Sequence, residues 1–167
     1  PTSNHTLTAI NEDKVDSVGD AVGALVQIGS ITDLDGPVIG AIAIVAVDNA
    51  NGAWQYSPDA VSWTAITASK TSALLLSQQQ RIRFVPHASF HGTASFSFHA
   101  WDQSSGVNGG RADTTVTGGT SAFSIVQELA SITVVQVDDL PTLDRIPAVI
   151  LDTTVTSHDI ALSGISD

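Results

Sequence analysis

Residues 93–101 alternate between small polar and apolar side chains almost without a break. Ala94, Phe96, Phe98 and Ala100 fall on one side, and Thr93, Ser95, Ser97 and His99 on the other. Successive side chains of a strand point to opposite faces, so this run predicts a half-buried antiparallel strand with one wet face. Comparable runs recur at 6–10, 22–28, 38–47, 53–56, 81–85, 122–126 and 132–137, each bounded by turn-forming residues. Asn49-Ala50-Asn51-Gly52 reads as a hairpin turn, because Asn and Gly tolerate positive φ. Gly109-Gly110 and Gly118-Gly119 mark a mobile loop over 103–120, and only 71–80 has the character of a short helical turn. Seven or more short strands without βαβ alternation predict an all-β fold, an antiparallel sandwich of about seven strands.

Composition narrows the function. The 167 residues are enough for one good core with some chain left over. The 43% hydrophobic content is globular, and its Val, Ile, Ala and Leu, mixed with Thr and Ser, favour strands. Six Lys and Arg against 17 Asp and Glu give a net charge of −11. This excludes the basic footprint of a nucleic-acid binder and disfavours an anionic membrane surface. Without cysteine there is no disulfide framework, thiolate nucleophile or Cys-ligated zinc site. No run of 18 apolar residues offers a membrane-spanning helix. The start at Pro1 rather than Met is read as an excised piece of a longer chain, with any signal peptide outside it.

A domain boundary is expected after Asp139, where Leu140-Pro141 breaks the last strand. Beyond it, Asp159-Ile-Ala-Leu-Ser-Gly-Ile-Ser-Asp167 echoes Leu25-Val-Gln-Ile-Gly-Ser-Ile-Thr-Asp33. The chain is therefore divided into a complete repeat, 1–139, and a linker with the first strands of a truncated second repeat, 140–167. Ile146, Val149, Ile150, Ile160, Leu162 and Ile165 are too apolar for a free tail. They are expected to pack on the main sandwich or pair with another copy.

The acids cluster at strand ends: Asn11-Glu12-Asp13, Asp33-Leu34-Asp35-Gly36, Trp101-Asp102 and Asp138-Asp139. Fifteen are Asp and only two are Glu, a bias that surface charge alone does not require. Short carboxylates on converging loops suit a hard cation such as calcium, which gathers six to eight oxygens at about 2.3–2.6 Å. The competing reading is that Asp caps turns through hydrogen bonds to its own backbone.

Several strings together resemble the cadherin-like repeats of giant bacterial adhesins of the repeats-in-toxin (RTX) type. They are Leu7-Thr-Ala-Ile-Asn-Glu-Asp13, Ile31-Thr-Asp-Leu-Asp-Gly36 and Trp54-Gln-Tyr-Ser-Pro-Asp-Ala-Val-Ser-Trp63, followed by Arg83-Phe-Val-Pro86, Phe90-His-Gly-Thr-Ala94, Ala100-Trp-Asp102 and Val137-Asp-Asp-Leu-Pro141. The resemblance covers 5–141 and implies a Greek-key, cadherin- or immunoglobulin-like sandwich in a tandem array on a bacterial cell surface. It also implies calcium at the domain junctions. Glu12 matches the first-strand ligand, Asp138 and Asp139 the linker acids, and Asp167 the first Asp of the next domain's Asp-x-Asp. Asp33, Asp35 and Asp102 match the set that faces a preceding domain. Three departures stand out: the linker reads Asp138-Asp139 in place of Asn-Asp, Pro86-His87-Ala88 replaces an acidic motif, and the second repeat carries Asp152-Thr153-Thr154 in place of Asn-Glu-Asp.

Other groups read as structural. Trp54, Trp63, Trp101 and Tyr56 could form a sugar-stacking platform, but their places beside hairpins and strand ends favour core or edge packing. His5, His87, His91, His99 and His158 show no metal-ligand spacing; His87 and His91 flank the turn before the Phe-rich strand and read as surface residues. There is no Gly-x-Ser-x-Gly elbow or nucleophile–base pair, and a small sandwich offers little cleft for a carboxylate pair, so no enzyme is expected. The resulting expectation is a non-enzymatic, extracellular Ca²⁺-binding extender repeat that contributes to cell adhesion. Its partners would be neighbouring repeats of its own chain, and it would be a monomer in isolation. The alternative is a module that binds a surface glycan or protein ligand through the 103–120 loop, with Ca²⁺ only structural.

Overall fold

The computed structural model describes residues 4–26, 40–138, 142–143 and 165–166. The chain divides into two compact units, Pro1–Gln136 and Val137–Asp167. In the second, β12 (Thr142–Leu143) pairs antiparallel with β13 (Ile165–Ser166). Ile146, Val149, Ile150, Ile160 and Leu162 lie outside the described residues.

The first unit is the all-β sandwich the strand pattern predicts. One sheet contains β1 (Asn4–Thr6), β2 (Ile10–Asn11), β4 (Ala41–Val47), β7 (Ala73–Leu76), β9 (Gly92–Trp101), β10 (Arg111–Ala112) and β11 (Phe123–Val135). Its order is β1-β11-β9-β4-β7-β10, with β2 also beside β11. The other sheet is β3 (Asp20–Ala21), β8 (Arg81–Pro86), β5 (Gly52–Ser57) and β6 (Thr64–Ala65), in that order. Pairing is antiparallel except where β1 and β2 run parallel to β11.

The main core lies between the sheets. Ile42, Ile44, Phe96, Phe98, Ile132 and Val134 from the larger sheet meet Trp54, Ile82 and Phe84 from the smaller. Ring centroids of Trp54 lie 5.1 Å from Phe84 and 4.9 Å from Phe96. Ala94, Phe96 and Phe98 are buried as the alternation requires, whereas Ser95 and Ser97 are only half-buried.

A second, smaller core lies on the opposite face of the larger sheet. It gathers Ala41, Ala43, Val45, Ala73, Leu75, Trp101, Ala122 and Phe123. Residues Ala41 to Val45 are therefore buried on both faces, which is why this run is continuously apolar rather than alternating. The cover is the segment 103–122, which the glycines predict as a mobile loop. It is instead pinned at intervals: Trp101 Nε1 donates to Ser105 O (2.8 Å), Gly109 N to Leu75 O (2.7 Å), Leu75 N to Gly110 O (3.1 Å) and Thr114 N to Lys70 O (2.7 Å). Gly106, at φ +85°, passes so close to the sheet that a Cβ would strike Leu75 Cδ1.

Tertiary context overrides several local expectations. The helical turn expected in 71–80 is the strand β7, because Leu74 and Leu76 enter the main core while Ala73 and Leu75 enter the small one. The run at 22–28 begins as a single turn of helix, α1 (Val22–Leu25), while 27–28 lie outside the described residues. The strand expected at 6–10 breaks into β1 and β2, where Asp20 takes the Thr8 amide (3.0 Å) and hydroxyl (2.7 Å). The runs at 122–126 and 132–137 fuse into β11 through a register shift between Phe123 and Gln127. There His99 Nδ1 meets Ser124 O (2.7 Å) and Val126 O (3.2 Å), and Ile125 is turned out, 74% exposed.

Candidate metal site

The register of β9 and β11 places two of the candidate ligands at opposite ends of the sandwich. Gly92 lies opposite Val134 and Trp101 opposite Phe123, while Asn11 lies beside Val135. Glu12 therefore leaves the sheet at one end and Asp102 at the other. Ten residues of strand at about 3.3 Å each put them roughly 30 Å apart, so they cannot share one ion. Asp138 is exposed and belongs to the second unit. Asp33, Asp35, Asp139 and Asp167 lie outside the described residues. Among the described residues, no three His, Asp or Glu side chains converge as a metal-binding group.

Glu12 sits at the turn that ends β2. Its amide donates to Val135 O (3.0 Å), and the Lys14 amide closes the turn onto Asn11 O (3.0 Å). The residue is only 4% exposed. Its Oε2 lies 3.6 Å from Nδ1 of His91, an exposed residue just before β9. A buried carboxylate is costly unless positive charge or hydrogen-bond donors meet it. The following segment is clamped from β8. Arg83 Nη1 donates to Ser17 O (3.1 Å), and Arg81 donates through Nε to Val18 O (2.7 Å) and through Nη2 to Gly19 O (2.5 Å). At the surface, a hydrogen bond from Lys14 and its charge hold the Asp16 carboxyl below the usual carboxylate range.

Asp102 is built differently. Its amide donates to Ala122 O (3.1 Å), and its Oδ1 accepts the Ser104 amide (2.7 Å), closing a turn through Gln103 at φ +64°. The carboxylate is half-buried, directly above the small core that holds Trp101.

Turn capping accounts for much of the Asp excess. Asp48 Oδ1 accepts the Ala50 amide (3.0 Å), and Asp113 Oδ1 accepts the Thr115 amide (2.8 Å) and hydroxyl (2.6 Å). Asp59 Oδ1 accepts the Val61 (2.8 Å) and Ser62 (2.7 Å) amides and the Ser57 hydroxyl (2.9 Å). Those amides hold the Asp59 carboxyl down to about 2. Hydrogen bonds from Thr115 likewise lower Asp113. Such turns need a carboxylate one methylene from the backbone, and Glu reaches too far.

The two glutamates are used otherwise, for each faces a histidine: Glu12 faces His91, and Glu128 faces His5. No local pattern signals either pair, because the partners are distant in the sequence. His87 and His91 are exposed, as the sequence suggests, whereas His5 and His99 are buried.

The aromatic residues do not form an open stacking surface. Trp54 and Trp101 are buried, and Tyr56 packs on the main core. The Arg83 guanidinium covers the Trp63 ring at 4.1 Å, and Gly19 packs against its edge. Among the described residues, no helix is long and apolar enough to cross a membrane. Compared with known proteins, the chain matches no family model, no curated protein and no solved structure.

Proposed function

We propose that this chain is a calcium-binding extender repeat of a large bacterial surface adhesin, with a cadherin-like Greek-key sandwich stiffened by ions at its ends. The supporting observation is Glu12, a buried carboxylate at the terminus of the first-strand segment, where the sheet ends. Its oxygen chemistry fits a hard divalent cation better than a zinc-type ion, which prefers nitrogen and sulfur. In the resemblance, Asp138, Asp139 and Asp167 correspond to the acids of the linker and the next domain, and Asp33, Asp35 and Asp102 to those that face a preceding domain. The cation would neutralise crowded carboxylates and fix the direction of the chain, so that a string of repeats stands away from the cell. The role is mechanical, with neighbouring repeats as partners and no catalytic step. The alternative, a glycan- or protein-binding module, draws less support because Trp54, Trp63 and Trp101 are enclosed or covered.

Extracellular-type sites of this kind bind with a dissociation constant of about 10⁻⁴–10⁻³ M. At 100-fold saturation, a ligand that binds only the folded state adds about 2.7 kcal/mol, or roughly 5–10 °C in a chain of this size. Thermal melts with calcium and then with excess chelator test the reading. A reversible rise of that order supports it, and a midpoint indifferent to calcium up to about 100 mM, 100-fold above the weaker of these constants, defeats it.

A further inference from the structure

We infer that Asn51-Gly52 is a self-modifying site, where the folded chain converts an asparagine into aspartyl and isoaspartyl products at one end of the sandwich. The sequence holds two Asn-Gly pairs, Asn51-Gly52 in the turn between β4 and β5 and Asn108-Gly109 in the segment over the small core. Both asparagines are exposed, so access to water does not separate them. Hydrogen bonding does. Asn108 Oδ1 accepts the Ser77 amide (2.9 Å), and the Gly109 amide donates to Leu75 O (2.7 Å). In the other turn the bonds go to different residues: Asp48 Oδ1 accepts the Ala50 amide (3.0 Å), Asn49 Oδ1 accepts the Trp54 amide (2.9 Å), and Asn49 Nδ2 donates to Ile66 O (3.3 Å). The Asn51 side chain makes no such bond among the described residues. Gly52 lies opposite Pro86, which has no N–H, and the neighbouring rung runs from the His87 amide to Asn51 O (2.9 Å). Gly52 and Pro86 are therefore a pair without ladder bonds, and the Gly52 amide faces back into its own turn. The core keeps this residue a glycine, because a Cβ would strike the Phe84 ring and Val85 O. The amide nitrogen thus has no side chain beside it to block an attack.

The reaction needs only water. The Gly52 nitrogen gives its proton to water or hydroxide and attacks Cγ of Asn51. The bond from that nitrogen to Cγ forms, the bond from Cγ to Nδ2 breaks, and Nδ2 takes up a proton and leaves as ammonia. The product is a cyclic succinimide. Water then opens the ring at one of its two carbonyls. Opening at Cγ leaves aspartate, and opening at the main-chain carbonyl carbon leaves isoaspartate, with the backbone routed through the side-chain methylene. The net change consumes one water and releases one ammonia, with nothing oxidised or reduced. Asn108 is held back from the same course, because its side-chain oxygen is tied to the Ser77 amide and its nucleophile to Leu75 O. Asn51 stands at the Glu12 end, since its carbonyl is bonded to His87 in the turn that leads through His91 into β9. Either product adds a negative charge at that end, and isoaspartate also adds a backbone atom to the hairpin. The change is slow and irreversible, so it records the age of the folded chain. It involves no bound ion and stands apart from the calcium reading.

Peptide mapping by mass spectrometry, on the whole folded chain aged in mildly alkaline buffer, tests the inference. Acid products at Asn51 should form at least tenfold faster than at Asn108. In chain aged in enough urea to unfold it, that ratio should collapse toward one, because both sites are then plain Asn-Gly pairs. Aspartyl and isoaspartyl forms should appear together at Asn51, since one ring gives both, whereas direct hydrolysis gives aspartyl alone. In Asn51→Gln, whose longer side chain closes the ring poorly, acid formation at that position should fall at least tenfold while Asn108 behaves as before. A native ratio below tenfold overturns the inference. So does a ratio that unfolding leaves unchanged, an aspartyl product alone, or acid formed as fast in Asn51→Gln as in the wild type.

Discussion

At the Glu12 end of the sandwich a carboxylate is buried and faces an imidazole; at the Asp102 end a carboxylate is half-exposed and already accepts a backbone amide. The segment that follows the first, Ser17 to Gly19, is held by two arginines reaching across from β8. The second sits over a third layer, the pinned segment 103–122 and its small core. A buried carboxylate needs positive charge to offset its lost hydration, whereas an amide-capped one has met part of that need within its own turn. Acidity at a strand end is thus not one feature. Glu12 is a buried carboxylate beside an imidazole, and Asp102 is a half-buried one that caps a turn.

The largest expected effect comes from dismantling the layer beneath Asp102. Trp101→Ala should cost about 3–5 kcal/mol in urea unfolding. It should release exchange protection across 103–122 while the amides around Glu12 keep theirs. Equal loss at both ends would show that the third layer is not local support. Next comes the contrast between the two carboxylates. Glu12→Gln should remove most of the stabilisation by calcium proposed above, about 2.7 kcal/mol at 100-fold saturation. Asp102→Asn keeps an oxygen for the Ser104 amide and should lose less of it. The reverse order would invert the comparison.

The smallest effect concerns amide capping itself, best isolated at Asp59, which serves neither end. Its carboxyl is held at about 2 by the Ser62 and Val61 amides. A lowered native value means that its contribution is complete above the unfolded carboxyl range, near 3.9, and is lost as pH falls toward 2. Asp59→Asn should therefore melt with a shallower dependence on pH between 4 and 2 than the wild type. An unchanged slope would mean that those amides do not hold the charge.

Much of the sandwich was legible because one-sided burial writes a period of two into the sequence, as at Ala94, Phe96 and Phe98. Legibility failed where both faces are covered. Ala73-Leu74-Leu75-Leu76 carries no alternation, so nothing local separates strand from helix. The glycines of 103–120 signalled a loop correctly, but its cover of Leu75 and Trp101 depends on residues far away in the chain. At the site, the strand-end position of Glu12 was visible, and its burial and the approach of His91 were not. The Asp bias pointed to metal and turns at once, since both uses call for a short carboxylate, and at Asp48, Asp59, Asp102 and Asp113 the turn use is realised.

The parallel run of β1 and β2 along β11 governs how the first unit answers a pull. Its leading strand and its last strand point the same way, so tension drawing the two chain ends apart slides one along the other. The bonds from Leu7 N to Ser131 O and from Glu12 N to Val135 O then bear load together in shear. An antiparallel hairpin pulled from its open end would instead yield one rung after another.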